Sequence, residues 1–187
     1  YNIYEKKMKK LFEFKKHLRS KNIDAYIIPK YDLFFSEELM EGDERLKFIS
    51  NFSGSAGGGV ITASHKFKSV VINKIIEFLN SHRQIKTIGV DTKLITINQF
   101  KLLESELKIK NKKFMLSTKN LVDEIWKNKP TIPQHKIFDL AIKYVGENYI
   151  SKINRLAKII LNYSSDALLT FKPDAISWLL NIRGNQL

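Results

Sequence analysis

Apolar positions along the first twenty residues recur with a helical period. Met8, Leu11, Phe12, Leu18 and the stem of Lys15 fall on one side of a 3.6-residue turn, which predicts an amphipathic helix over residues 4–18. Ala25-Tyr26-Ile27-Ile28 is a short apolar run closed by Pro29, the pattern of a buried strand. Val60-Ile61-Thr62 and Ser69-Val70-Val71-Ile72 read as the strands of a hairpin, with Ser64-His65-Lys66 in its turn. A short helix is expected over 73–80 and a strand over 87–90. Thr96-Ile97-Asn98-Gln99 has the spacing of a capping box, in which a Thr hydroxyl and a Gln side chain satisfy the free N–H groups of a helix start. Phe100, Leu103 and Leu107 make the apolar stripe of that helix. Residues 114–116 predict a strand and 121–126 a short helix with a buried Trp126.

Lys129-Pro130-Thr131-Ile132-Pro133 cannot continue a helix and marks a domain boundary. The expected division is a first domain over 1–129, a proline-containing link over 130–136 and the beginning of a second domain over 137–187. In that second part a helix is expected over 151–161, with Ile153, Leu156, Ala157, Ile160 and Leu161 inward. A strand follows over 167–170. A helix then opens at Pro173, whose missing N–H costs nothing at a first turn, and buries Trp178, Leu179 and Ile182. Strands alternating with helices define an α/β fold, and the hairpin makes its sheet mixed.

Arg45-Leu46-Lys47-Phe48-Ile49-Ser50-Asn51-Phe52-Ser53-Gly54-Ser55-Ala56-Gly57-Gly58-Gly59 joins an apolar run to a small-residue turn and a β-branched strand. Glycine serves where backbones approach closely or φ is positive, so this is a fixed loop entering a sheet. It is a poor phosphate cradle. No Lys-Ser or Lys-Thr follows the glycines, and a dinucleotide turn would place the strand before them and a helix after.

Composition adds exclusions. Cysteine is absent, which removes disulfides, thiolate nucleophiles and zinc–thiolate sites and fits a cytoplasmic protein. No apolar run approaches the ~18 residues of a membrane span, and the first residues lack a signal peptide's apolar core. They also lack an initiator Met, so the chain need not begin where its gene does. The net charge is +13. Lysines are spread along polar faces, and the densest runs, over 6–10 and 108–113, lack interleaved stacking aromatics, so neither nucleic acid nor membrane is expected as a partner.

Arg45-Leu46 and Phe52-Ser53-Gly54-Ser55-Ala56-Gly57 resemble the Arg-Leu…Gly-Phe-Thr-Gly-Ser-Ala-Gly signature of the creatinase-type N-terminal domain of Xaa-Pro aminopeptidases, the pita-bread metallopeptidases. Further blocks agree in order. Asp24-Ala25-Tyr26-Ile27-Ile28-Pro29, followed by Asp32 and Ser36-Glu37, resembles the family's first strand. Gly89-Val90-Asp91, Asn120-Leu121-Val122-Asp123-Glu124-Ile125-Trp126 and the prolines Pro130 and Pro133 resemble later segments. Ile176-Ser177-Trp178-Leu179-Leu180-Asn181-Ile182-Arg183-Gly184 resembles the start of the family's second domain.

The sequence also departs from the family pattern. Ser69-Val70-Val71-Ile72 runs directly into Asn73-Lys74-Ile75, where the family has an Asp-Gly-Arg-Tyr motif, a helix and another strand. A direct joint deletes a sheet edge, so an omitted segment is the favoured reading; an intact mass near 21.8 kDa would rule it out. Phe34 and Glu38 stand where the family commonly has His and Tyr.

What the resemblance implies is a mixed sheet flanked by helices, followed by the truncated start of a second, similar α/β domain. It further implies the non-catalytic N-terminal region of an enzyme that removes an N-terminal residue before proline. Two divalent metal ions, manganese by family habit, would belong to a catalytic domain beyond this chain, with no cofactor and no catalytic or metal-ligating residue here. The implied partners are that catalytic domain, proline-containing peptides through the full enzyme, and a second copy in a homodimer. Arg45, with Asp32, Glu37 and Ser55, is the candidate set for substrate access or a domain interface; for Arg45 a surface ion pair with Asp43 or Glu41 is the plainer alternative. A rival reading is a stand-alone, non-enzymatic peptide-binding or dimerisation module.

Independent chemistry is sparse. His17, His65, His82 and His135 are too far apart for a His-Glu-x-x-His pattern. His135 and Asp139 could form a metal pair, though a helix-start charge beside a linker histidine explains them as well. The acidic Glu37-Glu38 and Glu41-Gly42-Asp43-Glu44 segments lack EF-hand spacing and read as a solvated loop.

Overall fold

The computed structural model describes residues 2–36, 38–52, 54, 57–62, 66–69, 72–131 and 136–184, with backbone alone over 2–8 and 66–69. The chain divides into two compact units, residues 1–131 and 132–187.

The first unit is a five-stranded sheet with helices on both faces. In chain order it comprises α1 (Asn2–Ser20), β1 (Ala25–Pro29), a single 3-10 turn (Glu41–Asp43) and α2 (Arg45–Ser50). The hairpin β2 (Gly58–Thr62) and β3 (Lys66–Ser69) follows, then α3 (Ile72–Ser81), β4 (Thr87–Asp91), α4 (Ile97–Lys108), β5 (Lys113–Ser117) and α5 (Leu121–Ile125). The sheet order is β3-β2-β1-β4-β5. β2 pairs antiparallel with both β1 and β3, whereas β4 lies parallel to β1 and β5.

Strand alternation sorts the core into two layers. Ala25, Ile27, Val60, Ile88 and Val90 face α3 and α4, where Ile75, Leu79, Leu103 and Leu107 meet them. Tyr26, Ile28 and Ile61 face the other way and pack on Phe14 and Leu18 of α1, Leu46 and Ile49 of α2 and Leu121 and Val122 of α5. A fully buried side chain of this size stabilises by about 1.5–3 kcal/mol. The capping box forms as expected, with Thr96 Oγ1 accepting from Gln99 N and Gln99 Oε1 accepting from Thr96 N.

Three details of this unit differ from expectation. α1 turns Phe14 and Leu18 inward with Leu11 beside them, and leaves Phe12 66% exposed, because Phe12 lies off the stripe set by residues 11, 14 and 18. Met8 belongs to the residues whose side chains are not described. The second hairpin strand is described over Lys66–Ser69, with Gly58 paired to Ser69 and Ile61 to Lys66, and Ile72 already begins α3, so the expected span of 69–72 overlaps it at Ser69 while Val70 and Val71 lie outside the described residues. Trp126 ends α5 half-buried, stacked on Phe48 with ring centroids 4.2 Å apart.

The second unit holds β6 (Ile137–Asp139), α6 (Ile142–Val145), α7 (Tyr149–Asn162), α8 (Pro173–Leu180) and β7 (Ile182–Gly184), with β6 and β7 antiparallel. Pro173 stands in the first turn of α8 as its missing N–H requires. Residues 167–170 are not a strand, and Leu169 is 77% exposed. A strand needs a neighbouring edge to satisfy its backbone, and no described strand lies alongside. The apolar face expected of α7 is correspondingly open, with Ile153 and Leu161 exposed, and Trp178 is half-exposed instead of buried. Ile182 belongs to β7, not to the helix before it.

Candidate functional site

Arg45 opens α2, directly after the 3-10 turn, and its position carries its guanidinium inward. The side chain is 9% exposed. Nε donates to Asp123 Oδ1 at 2.9 Å and Nη2 to Asp123 Oδ2 at 3.0 Å, a bidentate fork, while Nη1 donates to Asp43 Oδ1 at 2.9 Å. Burial works to lower the Arg45 pKa, but the two carboxylates outweigh it and hold the cation even more firmly charged. Asp123 Oδ2 also accepts from Lys129 Nζ at 2.7 Å. The expected pairing with Asp43 is present, but it is buried and secondary to Asp123, which sequence reasoning did not connect to Arg45.

Of the acidic segment beside Arg45, Glu38 and Glu41 are exposed as expected, whereas Asp43 and Glu44 are committed to ion pairs. Glu44 Oε1 accepts from Lys30 Nζ at 3.0 Å. Gly42 is buried under the carbonyl of Pro130, where any Cβ would collide with that oxygen. Asp32 Oδ1 accepts from the backbone N–H groups of Phe34 and Ser36, both at 2.9 Å, and so closes the turn that carries Phe35 at φ 56°. Glu37 and Ser55 lie outside the described residues, as do His65 and His135. No hydrogen bond or ion pair joins Asp32 to Arg45 among the described residues.

The other matched blocks interlock in the same manner. Asp24 Oδ2 accepts from the N–H groups of Lys86 and Thr87 at 2.8 Å, fixing β4 beside β1. Asp91, 4% exposed, accepts from Asn120 Nδ2 at 2.8 Å, and Asn120 Oδ1 caps α5 by accepting from Val122 N. Leu121 N donates to the Tyr26 hydroxyl, and burial drives the Tyr26 pKa far above the usual phenol range. A Cβ on Gly89 would lie 2.6 Å from the Tyr26 ring. On the outer side of α5, Glu124 meets His17 at 2.9 Å and Lys21 at 3.0 Å. Burial pulls the Glu124 pKa up, yet Lys21 and His17 prevail and hold it below the ordinary glutamate range.

In the second unit Lys152 is buried and donates to the Trp178 carbonyl at 2.8 Å and to Asn181 Oδ1 at 2.7 Å, with its ammonium 4.3 Å from the Trp178 ring centre. Asn181 ends α8 at φ 56° and donates to the Glu147 carbonyl, and Arg183 donates to the Ser177 carbonyl at 3.0 Å. Among the described residues no three His, Asp or Glu side chains gather as a metal ion requires. No helix of the described residues is long and apolar enough to cross a membrane.

This mixed, helix-flanked sheet followed by a smaller unit is the architecture of the creatinase-type N-terminal region. Residues 128–187 match the Creatinase/Prolidase N-terminal domain family. The chain is 28% identical over 208 residues to a probable Xaa-Pro aminopeptidase P of Coprinopsis cinerea, covering 96% of this chain and 33% of that protein. It is 29% identical over 205 residues to a probable Xaa-Pro aminopeptidase P of Pyricularia oryzae, covering 95% of this chain and 33% of that one. The X-prolyl aminopeptidase of Caenorhabditis elegans, described as a cytosolic enzyme with a di-nuclear active site, superposes with a TM-score of 0.77 at 23% identity over 96% of this chain and 35% of its own. The chain is thus similar to the Xaa-Pro aminopeptidases, as its sequence blocks indicated, and it spans about a third of the length of the curated relatives it matches. The aligned stretches, 208 and 205 residues long, exceed the 187 residues present, so the relatives carry residues with no counterpart here.

Proposed function

We propose that this chain is the non-catalytic N-terminal region of an Xaa-Pro aminopeptidase-like metallopeptidase, shaping substrate access and subunit contacts for removal of an N-terminal residue before proline. The observation that carries the reading is the commitment of the matched polar residues to ties within the fold. Arg45, Asp91, Asn120, Asp123 and Asn181 all bond to partners that join elements. The hydrolytic chemistry, with its pair of divalent ions, manganese by family habit, belongs to residues outside this span. The setting is the cytoplasm, in keeping with the nematode relative described as cytosolic.

Purified 187-residue protein, incubated with an Xaa-Pro peptide and manganese, is expected to release no N-terminal residue above a no-protein blank. Clear manganese-dependent turnover would overturn the reading. A second reading, a stand-alone dimerisation module, draws on the exposed apolar side chains of residues 132–187, among them Leu169, Phe171 and Trp178. Sedimentation velocity of the same sample tests this second reading: the module requires a dimer that persists on dilution, and a monomer would overturn it.

A further inference from the structure

A cavity of about 170 Å³ lies where α3 and α4 cover the sheet. Its inner wall is the buried aliphatic set Ile27, Ile75, Val90 and Leu103, and Ile72, Tyr31 and Gln99 stand at its less buried rim. Among the described residues no charged side chain lines it. Protein interiors pack closely, and voids larger than a water molecule are few, so a space of this size is a distinctive feature. An apolar cavity of about 150 Å³ stays dry and accepts benzene.

Its place in the topology is also informative. β1 and β4 are parallel neighbours, and the chain leaves β1 toward β2 on one side and β4 toward β5 on the other. The crevice at their carboxyl ends is therefore the point where strand order reverses, the usual position of ligand sites in open α/β sheets. Pro29, Tyr31, Val90 and Leu94 bring the cavity to that end. The departure from the family pattern at Ile72-Asn73 falls on the same wall, since Ile72 and Ile75 line it.

We propose that this cavity binds a small, uncharged apolar molecule of about the size of benzene or indole. The aliphatic wall supplies the contact area, and the Tyr31 and Gln99 side chains are the polar groups at the entrance. Gln99 Oε1 is already engaged by Thr96 N in the capping box. A charged ligand would find no countercharge among the described lining residues and is disfavoured by the cost of desolvation.

The test titrates methyl-labelled 187-residue protein with indole and benzene, and with benzoate and benzylamine as charged analogues. The neutral probes should give saturable shifts centred on the Ile75 and Leu103 methyls, at least tenfold tighter than the charged ones. Gly58 can take a Cβ in ordinary contact, 3.4 Å from the Ile28 carbonyl oxygen and 3.5 Å from Ile75 Cδ1, so a Gly58→Ala, Val90→Ile variant fills the space from its wall. That variant should unfold at the same or higher temperature and bind the neutral probes at least tenfold more weakly; if the pair fails to fold, Val90→Ile alone is used, with weaker binding again expected. Shifts that never saturate, shifts away from these methyls, equal binding of charged analogues, or undiminished binding by the filled variant would overturn the proposal.

Discussion

Gly89 shows how little slack the first unit leaves a single residue. It sits in β4 against Tyr26, and a methyl group would meet the ring at 2.6 Å. Gly89→Ala should therefore cost about 1–3 kcal/mol by overpacking, read as a lower urea midpoint with unchanged slope. Glu124 gives a pH signature. Its folded pKa lies below the ordinary range, so its contribution is present above the unfolded pKa and is lost as pH falls through the folded one. Glu124→Gln should be less stable than the parent at neutral pH by about 1 kcal/mol or less. That gap should close as urea midpoints are taken at progressively more acid pH; a gap that persists in acid would assign the effect to packing instead. What was legible at this scale was local. Thr96 and Gln99 announce their capping box because the partners are three residues apart. Arg45 and Asp123 are 78 apart, and nothing in periodicity or spacing pairs them.

Elements were legible where the hydrophobic pattern had something to pack against. β1, β2, β4 and β5 and the helices α3, α4 and α5 follow their predicted spans closely, because each buries the face its pattern presents. The second hairpin strand begins three residues earlier than expected, at Lys66, because strand-like β-branched character at Ile72 is overridden by its place at the start of α3. In the second unit the pattern of residues 167–170 is that of a strand, but no described strand pairs with it, and β6, α6 and β7 were too short to stand out from their sequence. Leu169 and Phe171, 77% and 72% exposed, leave apolar surface uncovered there. Leu169→Lys with Phe171→Lys should leave the melting temperature unchanged within about 0.5 kcal/mol of stability. The same pair should lower the fluorescence of a hydrophobic dye bound to the protein. A marked loss of stability would mean that these side chains are buried in solution.

Over the whole molecule, the sequence blocks shared with the Xaa-Pro aminopeptidases act chiefly as fasteners. Asp24 ties β1 to β4, Asp91 and Asn120 tie β4 to α5, Tyr26 ties β1 to α5, and Arg45 ties α2 to α5. This explains why the family was recognisable from sequence while no reaction centre was: the matched polar residues specify how the layers join. The most direct measurement is a double-mutant cycle on Arg45→Met and Asp123→Asn by urea denaturation. Each single change removes the bidentate fork and leaves Arg45 only Asp43, or Asp123 only Lys129, and should cost about 1–3 kcal/mol, while the double variant should recover about 1 kcal/mol of the summed loss. Additive losses, or singles that leave the urea midpoint where it was, would contradict the claim that these residues are spent on holding the fold.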